Sequence, residues 1–195
     1  MSTVLLLGAS GGLGSEILKL LEAQSYKVIA PSSSDLNLSN PTANVKIEKL
    51  LKIYKPSMVI NCAGLFGGND AHYDHIFNVN VKTNWSILEY YREHPPTDKV
   101  KFITIGSSSY ESGRKDYILY AATKAALFNM CEGAFEYFEN SNLVIGLINP
   151  ARMRTKMIAH LITPNTICLE PTDVANKVLD FLGSLEKSTY INIKY

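Results

Sequence analysis

Short apolar runs along the chain alternate with longer stretches in which apolar side chains recur every three or four residues. The runs Thr3–Gly8, Lys27–Ala30, Met58–Asn61, Lys101–Ile105, Leu143–Ile148 and Thr189–Ile193 read as strands. Between them the stretches 12–24, 43–54, about 73–93, 117–139 and 172–184 have helical spacing, and Ser39-Asn40-Pro41 and Pro171-Thr172-Asp173 offer helix starts. This alternation predicts an α/β fold: a Rossmann-like doubly wound parallel sheet of about six to seven strands with helices on both faces. Strands buried on both sides should be nearly unbroken in apolar residues, as Val4-Leu5-Leu6-Leu7, Met58-Val59-Ile60 and Val144-Ile145-Gly146-Leu147-Ile148 are. Ser32-Ser33-Ser34 is too short for a linker and nothing repeats, so residues 1–195 read as one domain.

Composition narrows the function classes. With 46% hydrophobic residues in 195, the chain can build a full core. Lys and Arg number 19 against 18 Asp and Glu, a net charge of +1, so no long-range field gathers nucleic acid or an anionic membrane. Cys62, Cys131 and Cys168 are too scattered for a zinc site or a disulfide framework, which suits a reducing compartment. The N-terminal MSTVLLLGAS has no basic segment, and no apolar run approaches the ~18 residues of a membrane span. The expectation is a soluble cytoplasmic protein with no nucleic-acid or membrane partner.

Chemistry enters at the first strand. Val4–Leu7 leads through Gly8-Ala9-Ser10-Gly11-Gly12-Leu13-Gly14 into a helix, and four glycines in seven residues let a pyrophosphate approach the backbone at a helix N-terminus. Ser10, Gly11 and Leu13 belong to that cradle. Gly8, Gly12 and Gly14 match the G-x-x-x-G-x-G turn of short-chain dehydrogenases/reductases, which this chain resembles. Asn61-Cys62-Ala63-Gly64 is similar to that family's N-x-A-G after the fourth strand, which implies cofactor-side roles for Asn61, Ala63 and Gly64.

The second strand should select the cofactor. NAD-preferring Rossmann domains place a carboxylate at its tip, whereas Val28-Ile29-Ala30 here runs into Pro31-Ser32-Ser33-Ser34. NADP(H) is therefore favoured over NAD(H), with Ser32 and Ser33 as donors. Asp35 could take a ribose role, but Asp35-Leu36 resembles the family's next short strand, where Asp meets the adenine.

Tyr120 and Lys124 stand four residues apart, on one face of a helix, and a cation near a phenol lowers its pKa toward the range of proton transfer. Thirteen positions before Tyr120, Ser107 opens a serine run after an apolar strand. The resemblance implies that Ser107 orients a substrate carbonyl, Tyr120 transfers the proton, and Lys124 tunes Tyr120 and binds the nicotinamide ribose. It further implies a water relay through an asparagine, for which Asn80 is the best match, with Asn78 and Asn84 as competitors. Asn149-Pro150-Ala151-Arg152-Met153-Arg154-Thr155 resembles the P-G-x-x-x-T segment that holds the carboxamide, with Pro150 and Thr155 as its contacts and Ala151 in place of glycine.

Basic residues gather near this chemistry. Arg114, Lys115, Arg152, Arg154 and Lys156 lie on the two segments beside the reacting groups and suggest an anionic substrate, with Arg114, Arg152 and Arg154 as its contacts. The stretch Ser107–Tyr120, together with Ile148-Asn149-Pro150-Ala151-Arg152, is similar to the reductase domains partnered with cytidylyltransferases in bacterial polyol-phosphate synthesis, which implies ribulose 5-phosphate as a substrate. Rival readings are a dihydropteridine-reductase-like enzyme, a 3-oxoacyl reductase, and a dinucleotide-sensing module without turnover. His72 and His75 read as a helix entrance, and no metal is expected. The apolar helix 117–139 and the family's habits imply a homodimer or homotetramer. A short stretch between Thr155 and Pro171 predicts a small lid.

Overall fold

The computed structural model describes residues 2–68 and 72–195. In order the chain forms β1 (Thr3–Leu7), α1 (Gly12–Ala23), β2 (Lys27–Ile29), α2 (Ala43–Tyr54), β3 (Met58–Asn61), α3 (Tyr73–Phe77), α4 (Thr83–Glu93), β4 (Val100–Ile105), α5 (Ile118–Tyr137), β5 (Leu143–Pro150), α6 (Pro171–Ser184) and β6 (Thr189–Ile193). Among the described residues the strands make one six-stranded parallel sheet in the order β2-β1-β3-β4-β5-β6.

Alternation along β1 explains the two layers of helices. Val4 and Leu6 pack with Leu13, Ile17 and Leu21 of α1 and with Val174, Val178 and Leu182 of α6. Leu5 and Leu7 face the other way, toward Ile47 and Leu51 of α2, Ile87 and Leu88 of α4, and Ala134 and Phe138 near the end of α5. An apolar side chain at every position is thus required by burial on both faces. Strand order reverses at β1, whose neighbours β2 and β3 receive connections on opposite sides of the sheet. The crevice beyond the strand ends at such a reversal is where α/β proteins bind ligands.

Four details depart from the pattern read in the sequence. Asp35-Leu36 is no strand: Ser32–Asp35 closes as a turn, and β2 ends the sheet. Ser39-Asn40-Pro41 is a turn ahead of α2, in which Asn40 Oδ1 accepts bonds from the Thr42 amide and hydroxyl at 2.9 and 2.8 Å. β5 runs two residues further than its apolar pattern, to Pro150, because β6 pairs with it there, Asn149 opposite Asn192 and Pro150 opposite Ile193. The long helix over 73–93 is interrupted by a π turn at Asn78–Lys82, where the Thr83 amide reaches back to the Asn78 carbonyl. That turn and α4 place both Asn80 and Asn84 in the interior.

Candidate active site

Gly8 has φ +78°, and a Cβ there would lie 2.5 Å from the Ala63 nitrogen, so glycine is needed where the first turn passes the end of β3. A Cβ on Gly14 would overlap the Gly8 carbonyl oxygen. Gly11 and Gly12 are more open, and α1 begins there with neither a side-chain cap nor an acidic residue in its first turn. Its amides are left for an anion, which fits a dinucleotide pyrophosphate. They open on a cavity of about 830 Å³ lined by Gly8, Ser10, Gly11, Gly12, Leu13 and Gly14. Its walls continue through Ser33, Leu36, Ala63, Gly64, Tyr120, Lys124 and Thr155.

Four expected cofactor residues, Ser32, Asp35, Asn61 and Pro150, do not line it. Ser32 donates its hydroxyl to Asp35 Oδ2 at 2.6 Å, and its amide bonds the same oxygen at 3.2 Å, so both groups are spent within their own turn. Those bonds from Ser32 pull the Asp35 carboxyl below its ordinary range. Asn61 is buried behind the wall, and Pro150 belongs to a second cavity. Asn37, Ser39, His75 and Met157 also line the first cavity, and no sequence pattern had marked them as cofactor contacts.

The second cavity, about 530 Å³, meets the first at Gly106, Tyr120, Met153, Thr155 and Met157. Ser107, on the turn after β4, lines this cavity beside Tyr120 and pulls the phenol's pKa down. Asn149 fixes that turn by accepting the Ser107 amide at 3.3 Å, while its own buried Nδ2 has no partner among the described residues. One helical turn beyond Tyr120, Lys124 donates to the Ile105 carbonyl at the end of β4, 2.9 Å away, and its ammonium lies 5.7 Å from the Tyr120 ring centroid.

The electrostatics reverse the simple expectation for the phenol. Burial raises Tyr120 to about 12, and Ser107 recovers only part of that. Burial likewise lowers Lys124 to about 8, against the pull of Cys131 and Cys62. Desolvation is thus the largest influence on both groups.

Beneath the junction runs a buried polar chain. Asn80 grips Leu65 through both main-chain groups, Oδ1 accepting its amide at 2.8 Å and Nδ2 donating to its carbonyl at 2.9 Å. The same Nδ2 donates to Thr123 Oγ1, whose hydroxyl donates to the Tyr120 carbonyl. Asn84 accepts from Asn61 and Thr104 and donates to the Asn80 carbonyl. Asn80 lines neither cavity, and Asn78 is turned away, bonding the Ser39 carbonyl. By holding Leu65, Asn80 also sets the next residue: the Phe66 ring lies 4.9 Å from that of Tyr120 and 5.1 Å from that of Tyr117.

The basic residues separate. Arg114 and Arg152 line the second cavity, whereas Arg154 and Lys156 line the first, and Arg154 is paired with Glu170 at 2.9 Å. The short lid between them is stapled where the Arg154 amide bonds the Leu169 carbonyl and the Leu169 amide bonds the Arg152 carbonyl. His72 and His75 stack at 4.5 Å, and among the described residues no three metal-ligating side chains gather.

A family model described as the NAD dependent epimerase/dehydratase family matches residues 4–163. The chain belongs to that family. That family agrees with the short-chain dehydrogenase/reductase resemblance of the glycine turn and the Ser-Tyr-Lys set. It is 26% identical over 201 residues to a bifunctional ribulose 5-phosphate reductase/CDP-ribitol pyrophosphorylase of Haemophilus influenzae. That alignment covers 97% of this chain and 42% of the relative, so the chain spans less than half of that protein. Among solved structures, a 4-hydroxyisoleucine dehydrogenase complexed with NADH superposes with TM-score 0.81 at 20% identity, covering 98% of this chain and 97% of the other. A short chain dehydrogenase from Burkholderia cenocepacia J2315 in complex with NADP gives TM-score 0.81 at 17% identity, covering 97% and 87%. These similarities show that the epimerase/dehydratase family chain has the short-chain dehydrogenase fold. No helix among its described residues is long and apolar enough to cross a membrane.

Proposed function

We propose that the chain interconverts a carbonyl and an alcohol on a small sugar-like substrate, using NADP(H). The observation that carries this is the meeting of two cavities at Tyr120, which shares the second with Ser107 and the first with Lys124, one helical turn on. The larger cavity suits a dinucleotide, held by the α1 amides, Ser10, Ser33, Ala63, Gly64 and Thr155, with the nicotinamide end toward Lys124. When bound, the cofactor supplies or accepts the hydride. Ser107 steadies the carbonyl oxygen, and Tyr120 gives that oxygen its proton in reduction or takes it in oxidation. A phenol pushed up to about 12 holds its proton firmly until a cofactor and an oxyanion change its surroundings, which suits the donor role.

NADP(H) is supported by the absence, among the described residues, of a free carboxylate at the end of β2: Asp35 is closed on Ser32, while Ser33 lines the cavity. A phosphorylated ketose is supported by the likeness to a ribulose 5-phosphate reductase and by the cationic second cavity. A homodimer or homotetramer is supported by exposed apolar side chains on neighbouring helices, Trp85 of α4 and Tyr137 of α5. The deciding experiment follows NADPH oxidation with phosphorylated ketoses, pteridines and 3-oxoacyl compounds. Tyr120→Phe should abolish reduction while NADPH still binds, and undiminished turnover in that variant overturns the assignment.

A further inference from the structure

The second cavity is chemically uneven. Ser107 and Tyr120 are shared with or adjoin the cofactor cavity, whereas Arg114 and Arg152 are shared with another concavity of about 570 Å³, at the side away from the first cavity. Lys194, just past β6, lines the second cavity too. Among the described residues that line the second cavity, three cations, Arg114, Arg152 and Lys194, face one carboxylate, Glu111. That excess of two is larger than the +1 of the whole chain. Among the described residues, none of Arg114, Arg152 and Lys194 has a carboxylate within ion-pair distance, although Arg154, two positions further on, is paired with Glu170.

The backbone that carries Arg152 is held from both sides. Its amide donates to the Tyr195 hydroxyl oxygen at 3.3 Å, and its carbonyl accepts the Leu169 amide at 2.8 Å. The guanidinium therefore extends from a fixed base. The Tyr195 oxygen accepts that amide, so its own hydrogen is left for a ligand, and Tyr195 lines the same cavity.

We infer that Arg114, Arg152 and Lys194 form a phosphate site at the outer end of the substrate cavity, taking a phosphomonoester at the end of the substrate away from the reacting carbonyl. This rests on the carbonyl chemistry proposed above. Two planar forks and an ammonium match a tetrahedral dianion, whose oxygens can accept from several directions, better than a flat monoanionic carboxylate. Arg154 lies outside the site, and Lys194, which no motif marks, lies inside it.

The test compares kcat/KM for a ketopentose 5-phosphate with that for the same ketopentose without phosphate. Arg114→Gln and Arg152→Gln should each lower this ratio about 10-fold, and together about 100-fold, through KM for the phosphorylated substrate. Arg154→Gln should leave the ratio where it is. With the first cavity saturated by NADP+, inorganic phosphate should raise the thermal midpoint of the wild-type chain and not that of the double variant. An unchanged ratio in the double variant overturns the site, as does a preference for a keto acid of equal length over the phosphate. If no ketose is reduced but the phosphate-induced shift is present and is lost in the double variant, the site stands and the reductase reading falls. Absence of the shift in the wild type overturns the site even where ketoses are reduced.

Discussion

Replacing Lys124 with methionine should stabilise the protein at neutral pH while removing its activity. Lys124 is 4% exposed, and burial holds its pKa at about 8, against an ordinary 10.5. At ~1.36 kcal/mol per pKa unit, keeping the folded ammonium charged costs about 3 kcal/mol. Methionine removes that cost, fills similar space and forfeits the bond to the Ile105 carbonyl, which offsets about 1–2 kcal/mol. The remaining gain, about 1–2 kcal/mol, corresponds to about 3–6 °C in Tm for a chain of this size. The sign depends on pH. Below 8 both folded and unfolded chains carry the proton, and the wild type bears the full penalty. From 8 to 10.5 the unfolded chain retains a proton that the folded one has released, so wild-type stability rises with pH relative to the variant. Above 10.5 the advantage of methionine has gone. Thermal unfolding of the cofactor-free protein, followed by circular dichroism at neutral pH and near pH 10, measures the difference, and NADPH absorbance measures the lost turnover. A variant less stable than wild type at neutral pH refutes the reasoning. So does a Tm difference that is the same at both pH values.

Two further substitutions probe the frame around the site. Gly14→Ala puts a methyl onto the Gly8 carbonyl, 2.8 Å from its carbon, so the turn must open. A stability loss of about 1–3 kcal/mol is expected, with at least a tenfold weaker NADPH affinity by fluorescence titration; unchanged Tm and affinity would mean that the turn is more yielding than its contacts imply. Asn84→Leu strands the buried Asn61 amide, the Thr104 hydroxyl and the Asn80 carbonyl that Asn84 now satisfies. About 3 kcal/mol or more should be lost in urea denaturation, and a loss below about 1 kcal/mol would show that these groups find other partners.

What could be read from the sequence was whatever is encoded locally. The apolar run Val4–Leu7 announced a doubly buried strand, and Tyr120 and Lys124 share a helix face because four residues is about one turn. What escaped depends on neighbours remote in the chain. Asp35 looked available because the serine beside it gave no sign of closing on its carboxylate. The last two residues of β5 lack an obvious strand pattern and are strand only because β6 lies beside them. The π turn needs packing to select it, so Asn80 could be named without foreseeing that its amide clamps Leu65. Tyr120 shows the limit most clearly: spacing revealed the cation, but the opposing effect of burial requires three dimensions. Phe66 directly follows the Asn61–Gly64 turn and Leu65, which was a usable hint, whereas Lys194 and Tyr195 reach the cavity only because β6 is the last strand of the sheet.

The first cavity is closed by a contact between two segments remote in the chain. A Cβ on Gly12 would lie 3.0 Å from Thr155 Cγ2, so the first turn and the lid stem, far apart in sequence, meet across the groove. A groove with so long a sequence separation between its walls cannot form early in folding, because its loop must close before its contacts contribute. During synthesis the glycine turn emerges first but has no opposing wall until β5 and the lid have followed. A dinucleotide bound there would bridge the glycine turn and the lid stem, which assemble at different times, and would slow their separation.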